Sequence, residues 1–570
     1  MNTKKHLGIL GGGPSALFLF KQLVDGKCTK AVVTIFERGR QLGSGMPYST
    51  AGANDEHITN VSGNEIPPLV TTVAEWIKTA PKQLLDHFEI TPESYNDYKV
   101  LPRLLFGQYL SAQFALLQQQ AAGIGLEALV RFNSEVTDII DEPDNGKITV
   151  EVNGDEHYQF DTVVTSTGHN WPDEHEGKIP RYFDSPYPPA KLRIKANHAV
   201  AVKGTSLTAV DALRTLARSN GDFTIEKDGK RIFHLAEDSP DFKVVLHSRH
   251  GLLPAVRFHL EDTHLKNKKL LTKEQIAAHI KENNGFLSLD YIFEKDFKDI
   301  FRDKDPELYA RLKNMRVEDF VDEVMGTREE RNAFRLLAAE YEEAERSIKT
   351  RTSVYWKELL GALSFAMNYP AKYFSAEDME RLQKSLLPLI SVVIAYMPQS
   401  SCEEMMAMHQ AGVLDVVAVG EDSEVEPLKN GGAVYRYTDE EGKKQEKHFE
   451  TFVDASGQPH LSYNNLPYKS LTENKTVSPA LLQYRDAEKG KAAKVEGKDV
   501  VTDEQGNYHL KVPGIAIDDN FRVINEQGDA NPRLYMMAVP YIGGYNPDYS
   551  GLDFCEEASK RIMQTLFEEV

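Results

Sequence analysis

Near its N-terminus the chain reads His6-Leu7-Gly8-Ile9-Leu10-Gly11-Gly12-Gly13-Pro14-Ser15-Ala16, a short apolar run followed by a glycine-rich turn. Residues 17–24 are predominantly apolar, and residues 31–36 are mostly β-branched. This succession predicts a strand, a tight turn, a helix and a second, parallel strand. We therefore expect the chain to open with the βαβ unit of an α/β fold of Rossmann type.

The glycine turn has the composition of a dinucleotide-binding motif. Gly11 permits the tight turn, Gly13 lets the backbone approach a pyrophosphate, and Ala16 is small enough for close packing of helix on strand. The helix N-terminus then presents its free N–H groups to the phosphates. Glu37 ends the second strand, where a carboxylate accepts hydrogen bonds from ribose hydroxyls. The alternative is a glycine turn that only joins a strand to a helix. The residues predicted to bind a dinucleotide here are Gly11, Gly13, Pro14, Ser15, Ala16, Glu37 and Arg38.

An internal repeat indicates a second fold of the same design. Residues 148–160 predict a β-hairpin, after which a short apolar strand leads into Thr167-Gly168. The same unit recurs downstream, where a hairpin with arms at residues 433–437 and 448–452 leads into Ser456-Gly457. The two segments that end in these dipeptides align without a gap. We therefore predict two nucleotide-binding folds.

A second glycine turn lies between the two repeats, at residues 204–209. It keeps the first glycine and the final small residue, but Ser206 replaces the middle glycine and restricts how near the backbone can come to a pyrophosphate. Arg249, after a later strand, offers a bidentate partner for a 2′-phosphate and so favours NADPH over NADH. The alternative is a scaffold that has lost its ligand, with Arg249 a surface cation. The predicted nicotinamide-cofactor residues are Gly204, Thr205, Ser206, Leu207, Ser248 and Arg249.

The composition bounds the function. A chain of 570 residues is too long to fold around a single hydrophobic core, so several domains are expected. The formal net charge of -20 argues against nucleic acid or an anionic membrane surface as a partner. The 3 cysteines are far apart, which argues against a disulfide framework or a zinc site. No signal region precedes the first strand, and the longest apolar run is too short to span a bilayer. We expect a cytoplasmic protein that acts on a small molecule and binds no metal, with an oligomeric state that the sequence does not indicate.

The order of these motifs resembles that of the flavoproteins with two dinucleotide-binding domains, and more closely a bacterial FAD/NAD(P)-binding protein family. The resemblance covers residues 5–260 well and the C-terminal hundred residues more loosely. It is carried by the first glycine turn, by Gly43-Ser44-Gly45-Met46-Pro47-Tyr48-Ser49 and by Ser166-Thr167-Gly168-His169. Ser166-Thr167-Gly168 followed by Trp171-Pro172 is similar to the linker of class B flavin monooxygenases.

The resemblance implies roles for further residues around a bound FAD. The chain over Gly45 to Tyr48 would run past the flavin, Asn60 and Val61 would contact the isoalloxazine, and Arg103 would neutralise charge that develops on it. Each has an alternative role, Gly45 as a turn glycine, Asn60 as a loop cap and Arg103 as an ion-pair partner. The other residues that the resemblance places at the FAD are Met46, Tyr48, Val136, Thr167, Gly168, Asn546, Gly551 and Leu552.

The function expected from this resemblance is that of an FAD-dependent oxidoreductase, reduced by NADPH and monooxygenase-like. His169, Asn170 and Arg103 are the candidate catalytic residues, with a structural histidine as the alternative at 169. An oxidase or dehydrogenase without NADPH, and a non-catalytic flavin-binding sensor or assembly protein, remain as alternatives. The expected domains are an FAD-binding domain over 1–175 and 466–570, an NAD(P)-binding-like domain over 176–260 and 416–465, and a mainly helical insertion over 261–415.

Overall fold

The first part of the chain contributes most strands of a largely parallel sheet and forms an antiparallel hairpin sheet. A computed structural model describes residues 4–169, 171, 173–261, 270–458, 461–547 and 551–567. The strands of the first part are β1 (Lys5–Leu10), β2 (Ala31–Glu37), β3 (Ile58–Ser62), β4 (Val100–Pro102), β5 (Glu127–Phe132), β6 (Val136–Glu142), β7 (Lys147–Val152), β8 (Glu156–Phe160) and β9 (Thr162–Thr165). Its helices are α1 (Pro14–Asp25), α2 (Val73–Ile77), α3 (Lys82–His87) and α4 (Arg103–Ile124).

A second sheet and a long helical region follow. The next elements are β10 (Tyr182–Phe183), β11 (Ala199–Lys203), α5 (Leu207–Asn220), β12 (Gly221–Ile225), β13 (Arg231–Leu235) and β14 (Lys243–Ser248). The helical region contains α6 (Lys273–Glu282), α7 (Leu289–Phe293), α8 (Asp299–Lys304), α9 (Pro306–Leu312), α10 (Val317–Glu329), α11 (Ala333–Thr350), α12 (Tyr355–Ala366), α13 (Ala376–Arg381), α14 (Leu387–Val393) and α15 (Gln399–Gln410).

The chain then returns to both sheets and ends in a helix. Elements of the return are β15 (Leu414–Ala418), β16 (Glu424–Pro427), β17 (Ala433–Thr438), β18 (Lys444–Phe449) and β19 (Thr451–Asp454). The last elements are α16 (Lys469–Glu473), β20 (Pro479–Gln483), α17 (Ala487–Val495), β21 (Val500–Thr502), β22 (Tyr508–Ile515), β23 (Arg522–Ile524), β24 (Ala530–Met536) and α18 (Gly551–Thr565).

The two main sheets have the same design, which confirms the prediction of two Rossmann-type folds. The first has the strand order β23-β24-β9-β1-β2-β5, parallel except for the β23–β24 pair. The second has the order β10-β19-β11-β14-β15 and is parallel throughout. In both, the strand before the glycine turn is central. The carboxyl ends of the strands therefore meet at one edge of each sheet, where such folds bind ligands.

The repeated hairpin is also present in both folds. The sheet β6-β7-β8 belongs to the first fold, and the sheet β16-β17-β18 belongs to the second. The second hairpin differs in detail from the sequence expectation, which ran its last arm through residue 452. That arm, β18, ends at Phe449, and residues 451–454 form β19 of the main sheet.

The predicted helical insertion is present, and a small antiparallel sheet packs with it. The sheet has the order β20-β22-β21. Leu482 and Val512 of this sheet share a hydrophobic core with Leu360 and Leu386 of the helical region. The sequence predicts residues 466–570 as part of the first fold and does not indicate this packing. No helix in the described part of the chain combines the length and the apolar composition that crossing a bilayer requires.

Candidate dinucleotide sites

The first glycine turn has the tight geometry that its sequence predicts. Gly11 has φ +99°, and a Cβ atom there would lie 2.8 Å from the carbonyl oxygen of Ser166 at the end of β9. The Gly11 N–H donates to the Phe36 carbonyl at 2.9 Å. Gly13 is different, because its backbone is extended and a Cβ would meet only the Gly45 Cα, at 3.4 Å. Gly11 is therefore required by the fold, whereas the space beside Gly13 is left for a ligand.

The second turn reproduces this geometry in the second fold. Gly204 has φ +107°, and a Cβ there would lie 2.6 Å from the carbonyl oxygen of Ala455 at the end of β19. Ser206 precedes α5 with φ −73° and ψ −173°, close to the φ −80° and ψ −163° of Gly13 before α1. A serine adopts this extended conformation without strain. The replacement of the middle glycine therefore leaves the path of the backbone intact and adds a hydroxymethyl group at the helix N-terminus.

A cavity of about 320 Å³ lies between the first glycine turn and the N-terminus of α18. Cavities of this size are typical of ligand sites. The predicted FAD and catalytic residues that line it are Gly11, Gly13, Pro14, Ser15, Glu37, Arg38, Gly45, Met46, Tyr48, Val136, Thr167, Gly168, His169, Gly551 and Leu552. Its lining also includes residues that the sequence analysis missed, among them Ser134, Glu135, Tyr468, Tyr541, Phe554 and Cys555.

Glu37 is held at the end of β2, in the lining of this cavity, by two backbone donors. One carboxylate oxygen accepts from the Gly12 N–H at 2.9 Å and the other from the Gly39 N–H at 2.6 Å. Each carboxylate oxygen has two lone pairs, so both oxygens retain acceptor capacity. The carboxylate is therefore fixed in orientation and still able to accept from ribose hydroxyls.

The far wall of the cavity carries neutral polar groups. Burial raises the pKa of the Tyr48 phenol to about 12 and the pKa of the Cys555 thiol to about 12. The Cys555 Sγ lies 3.4 Å from the Ser15 Oγ, which joins α18 to the start of α1. Both groups stay protonated at neutral pH.

Arg103 does not line the cavity. Its guanidinium forms an ion pair with Asp211 on α5 of the second fold, and its Nε donates to the Ile58 carbonyl at 3.1 Å. Asp211 also accepts from the Tyr187 hydroxyl at 2.7 Å. Burial raises the pKa of Asp211, but Arg103 and His57 outweigh it and the net pKa is lowered. In the structure Arg103 is thus an ion-pair partner between the folds, and its expected place beside the flavin stays a prediction.

Four other predicted residues lie outside the lining of the first cavity, and their expected roles at the FAD site stay predictions. Ala16 belongs to the first turn of α1 and is fully buried, as its packing role requires. The backbone carbonyl of Asn60 accepts from Arg257, and that of Val61 accepts from the Thr59 hydroxyl at 2.8 Å. Asn546 is 1% exposed. Asn170 lies outside the described residues. His169, which does line the cavity, has its ring 6.1 Å from that of Trp171.

The second cavity, of about 360 Å³, lies over the second glycine turn. Gly204, Thr205, Ser206, Ser248 and Arg249 line it as predicted, whereas Leu207 begins α5 and does not. Leu10 pairs with Phe36 in the first sheet, and Lys203 pairs with His247 in the second. Ser248 therefore stands where the first fold has Glu37, and Arg249 follows it. The Ser248 hydroxyl oxygen is buried and has no hydrogen-bond partner within the described residues.

These sites define a class of fold. Two Rossmann-type folds, each with a glycine turn facing its own cavity, are the design of proteins with two dinucleotide-binding domains. Residues 8–170 match a protein-family model described as FAD-NAD(P)-binding, so the first fold is an FAD/NAD(P)-binding domain. Residues 272–394 match a second model, described as the YdhS-like middle domain.

One relative is a protein of Escherichia coli (strain K12) described as "Uncharacterized protein YdhS". The chain is 28% identical to it over 472 residues, which cover 82% of this chain and 86% of that protein. Among solved structures, the chain is similar to an ornithine N-hydroxylase of Kutzneria sp. 744, with 13% identity, 99% of both chains covered and a TM-score of 0.46. It is also similar to an L-lysine 6-monooxygenase of Pseudomonas syringae, with 12% identity, 99% of both chains covered and a TM-score of 0.44.

Proposed function

We propose that the chain is an FAD-dependent oxidoreductase that binds FAD in the first cavity and NADPH in the second. The observation that carries the proposal is the difference between the two cavities at one equivalent position. The first has Glu37, an acceptor for ribose hydroxyls, and the second has neutral Ser248 followed by Arg249. A carboxylate there suits a free 2′-hydroxyl, whereas an arginine suits a 2′-phosphate.

The residues of the first cavity fit FAD. Gly11 and Gly13 leave the backbone N–H groups at the start of α1 open to a pyrophosphate, and Gly551 and Leu552 bring the start of α18 to the same cavity. Bound FAD would supply hydride and electron transfer. The N-terminus of α18 would stabilise negative charge on the ring system. Tyr48 and Cys555, both protonated, would line the FAD site without adding charge to it.

The residues of the second cavity fit NADPH. The N–H groups at the start of α5 point to the pyrophosphate position, and Ser206 adds a hydroxyl there. Ser248 offers an unpartnered buried hydroxyl, and the exposed Arg249 forms no ion pair with any residue that the structure describes. Both groups are therefore available to a 2′-phosphate.

We further propose a monooxygenase reaction on a small organic substrate, with His169 as the proton-exchanging residue at the first cavity. The support is the similarity of residues 166–172 to the linker of class B flavin monooxygenases and the position of His169 in the lining. Imidazole exchanges protons in the physiological range of pH.

The test is the absorbance spectrum of the purified protein before and after anaerobic addition of NADPH. Flavin bands that bleach support both cofactor assignments, and oxygen uptake on re-aeration then tests the monooxygenase proposal. A colourless protein that takes up no added FAD refutes the first assignment. Flavin bands that NADPH leaves unchanged refute the second, and a substrate that bleaches them directly would point to an oxidase or dehydrogenase.

A further inference from the structure

The second cavity has two walls of different chemistry. Its polar wall is the sheet edge, with the glycine turn and Ser248-Arg249. Its opposite wall comes from the helical region and is mostly apolar, with Met325 of α10 and Pro388 and Val392 of α14. The first cavity has no counterpart of this wall, since its lining in the described residues comes from the first fold and the C-terminal part of the chain. Of these two cavities, the helical region lines only the second within the described residues.

The apolar wall is fixed to the second fold rather than loosely placed over it. The Ala255 N–H donates to the Val392 carbonyl at 2.8 Å, and the Met397 N–H donates to the Ala255 carbonyl at 2.8 Å. In addition, the Nδ1 of His250 lies 2.9 Å from the Oε1 of Glu329 at the end of α10. Both links lie within six residues of Arg249 in the sequence of the second fold. The wall is thus positioned together with the residues proposed to bind the 2′-phosphate.

The position of the apolar wall indicates which half of NADPH it would contact. In a βαβ fold the adenosine ribose lies at the end of the second strand, here β14 with Ser248, and the adenine lies beyond that ribose. The chain continues from Arg249 into Leu252 and Pro254, which line the cavity next to the helical wall. A purine has flat apolar faces, and methionine, proline and valine side chains pack well on such a face.

We propose that the helical region is part of the NADPH site, and that Met325, Pro388 and Val392 form the wall on which the adenine packs. The inference rests on the proposed function and extends it, because it gives the helical region a direct part in cofactor binding. The insertion is then a component of the second dinucleotide site, and its removal would leave the adenine exposed on one face.

The experiment measures binding of 2′,5′-ADP, the phosphorylated adenosine half of NADPH, to the full chain by isothermal titration calorimetry. Val392→Asp is expected to weaken binding at least tenfold, because it places a charge against the base. Since Val392 is partly buried, Ser391→Trp serves as a second variant, for Ser391 is exposed and lines the same cavity. The matched control is Val495→Asp, at a valine of α17 that is 81% exposed and lies outside the lining of the cavity.

The outcomes separate the inference from the function on which it rests. Weaker binding of 2′,5′-ADP by both cavity variants, with the control unchanged, supports the packing of adenine on the apolar wall. An equal loss of affinity for ADP assigns the effect to the base rather than to the 2′-phosphate. Normal 2′,5′-ADP binding in both variants overturns the inference and leaves the NADPH site intact. Loss of NADPH binding with 2′,5′-ADP unaffected also overturns it, because the wall would then serve the nicotinamide half. A wild-type chain that binds neither 2′,5′-ADP nor NADPH overturns both proposals.

Discussion

Arg103 of the first fold and Asp211 of the second form a buried ion pair that fixes one fold against the other. The side chains are 16% and 5% exposed. Asp211 is also bound by the Tyr187 hydroxyl, and its backbone carbonyl lies 3.1 Å from the His57 Nε2. The pair joins the start of α4 to the helix that follows the second glycine turn. We therefore expect a change at either residue to affect how the two folds are held together.

Replacement of Asp211 by asparagine is expected to lower the free energy of unfolding by about 3 to 5 kcal/mol, because it leaves the Arg103 charge buried without its partner. Urea unfolding of the purified variants measures the change. The control is Asp238→Asn, whose partner Lys195 is exposed, and we expect that change to leave stability nearly unaltered. Equal stability of the Asp211 variant and the wild type would show that the pair does not hold the folds together.

Arg103 also illustrates which contacts could be predicted from the sequence and which could not. The turns at Gly11 and Gly204 could be predicted because the positive φ and the close approach to the next strand are properties of one short segment. The ion pair could not, since Asp211 is 108 positions away and its arrival at Arg103 depends on how the two folds pack.

The residues that line the two cavities likewise include some that the sequence predicts and some that it does not. Ser248 and Arg249 were predicted because they follow a strand whose position in the sheet is readable from its sequence. Tyr468 and Cys555 of the first cavity, and Met325 of the second, lie in segments without a nucleotide motif. Helical periodicity shows that such residues are buried, but it does not show which distant element covers them.

His247 is expected to make the folded protein sensitive to acid. It is 1% exposed, its ring stacks on that of Tyr435 at 4.2 Å, and burial lowers its pKa to about 4. The unfolded chain therefore binds this proton between pH 6.5 and 4 while the folded chain does not, so stability falls as the pH falls through that window. The loss attributable to His247 approaches roughly 3 kcal/mol at pH 4.

The measurement is the difference in free energy of unfolding between wild type and His247→Gln across pH 4 to 8. The difference curve should flatten above pH 6.5 and change steadily below it, because only the wild type carries the histidine. His448→Gln, at an exposed histidine of β18, is the control and should follow the wild type. A constant difference across the whole range would mean that His247 titrates normally in the folded state.

Gly13→Val is expected to abolish FAD content while the protein still folds. The Gly13 backbone is extended, and a Cβ there meets only Gly45 at 3.4 Å, so the chain itself accommodates a side chain. A bound pyrophosphate would not, because the side chain occupies the space that the phosphate needs. Flavin absorbance per protein and circular dichroism together measure content and folding. Gly123→Val, at an exposed helical glycine with open space around it, should keep its flavin. Full flavin content in the Gly13 variant would place the FAD phosphates elsewhere.

Arg249→Ala is expected to weaken the binding of NADPH by about 10- to 100-fold and to change the binding of NADH little, because a charge-assisted hydrogen bond to the 2′-phosphate is lost. Ser248→Glu should act in the same direction, since it restores at that position the carboxylate that Glu37 provides in the first fold and repels the phosphate. Combining the two changes should therefore reverse the preference toward NADH. Titration of each variant with both nucleotides measures the ratio of dissociation constants, and Arg181→Ala, at an exposed arginine paired with Glu450, is the control. If both nucleotides weakened equally in the Arg249 variant, its guanidinium would serve the shared part of the cofactor, and the choice between NADPH and NADH would have to be made by other residues of the second cavity.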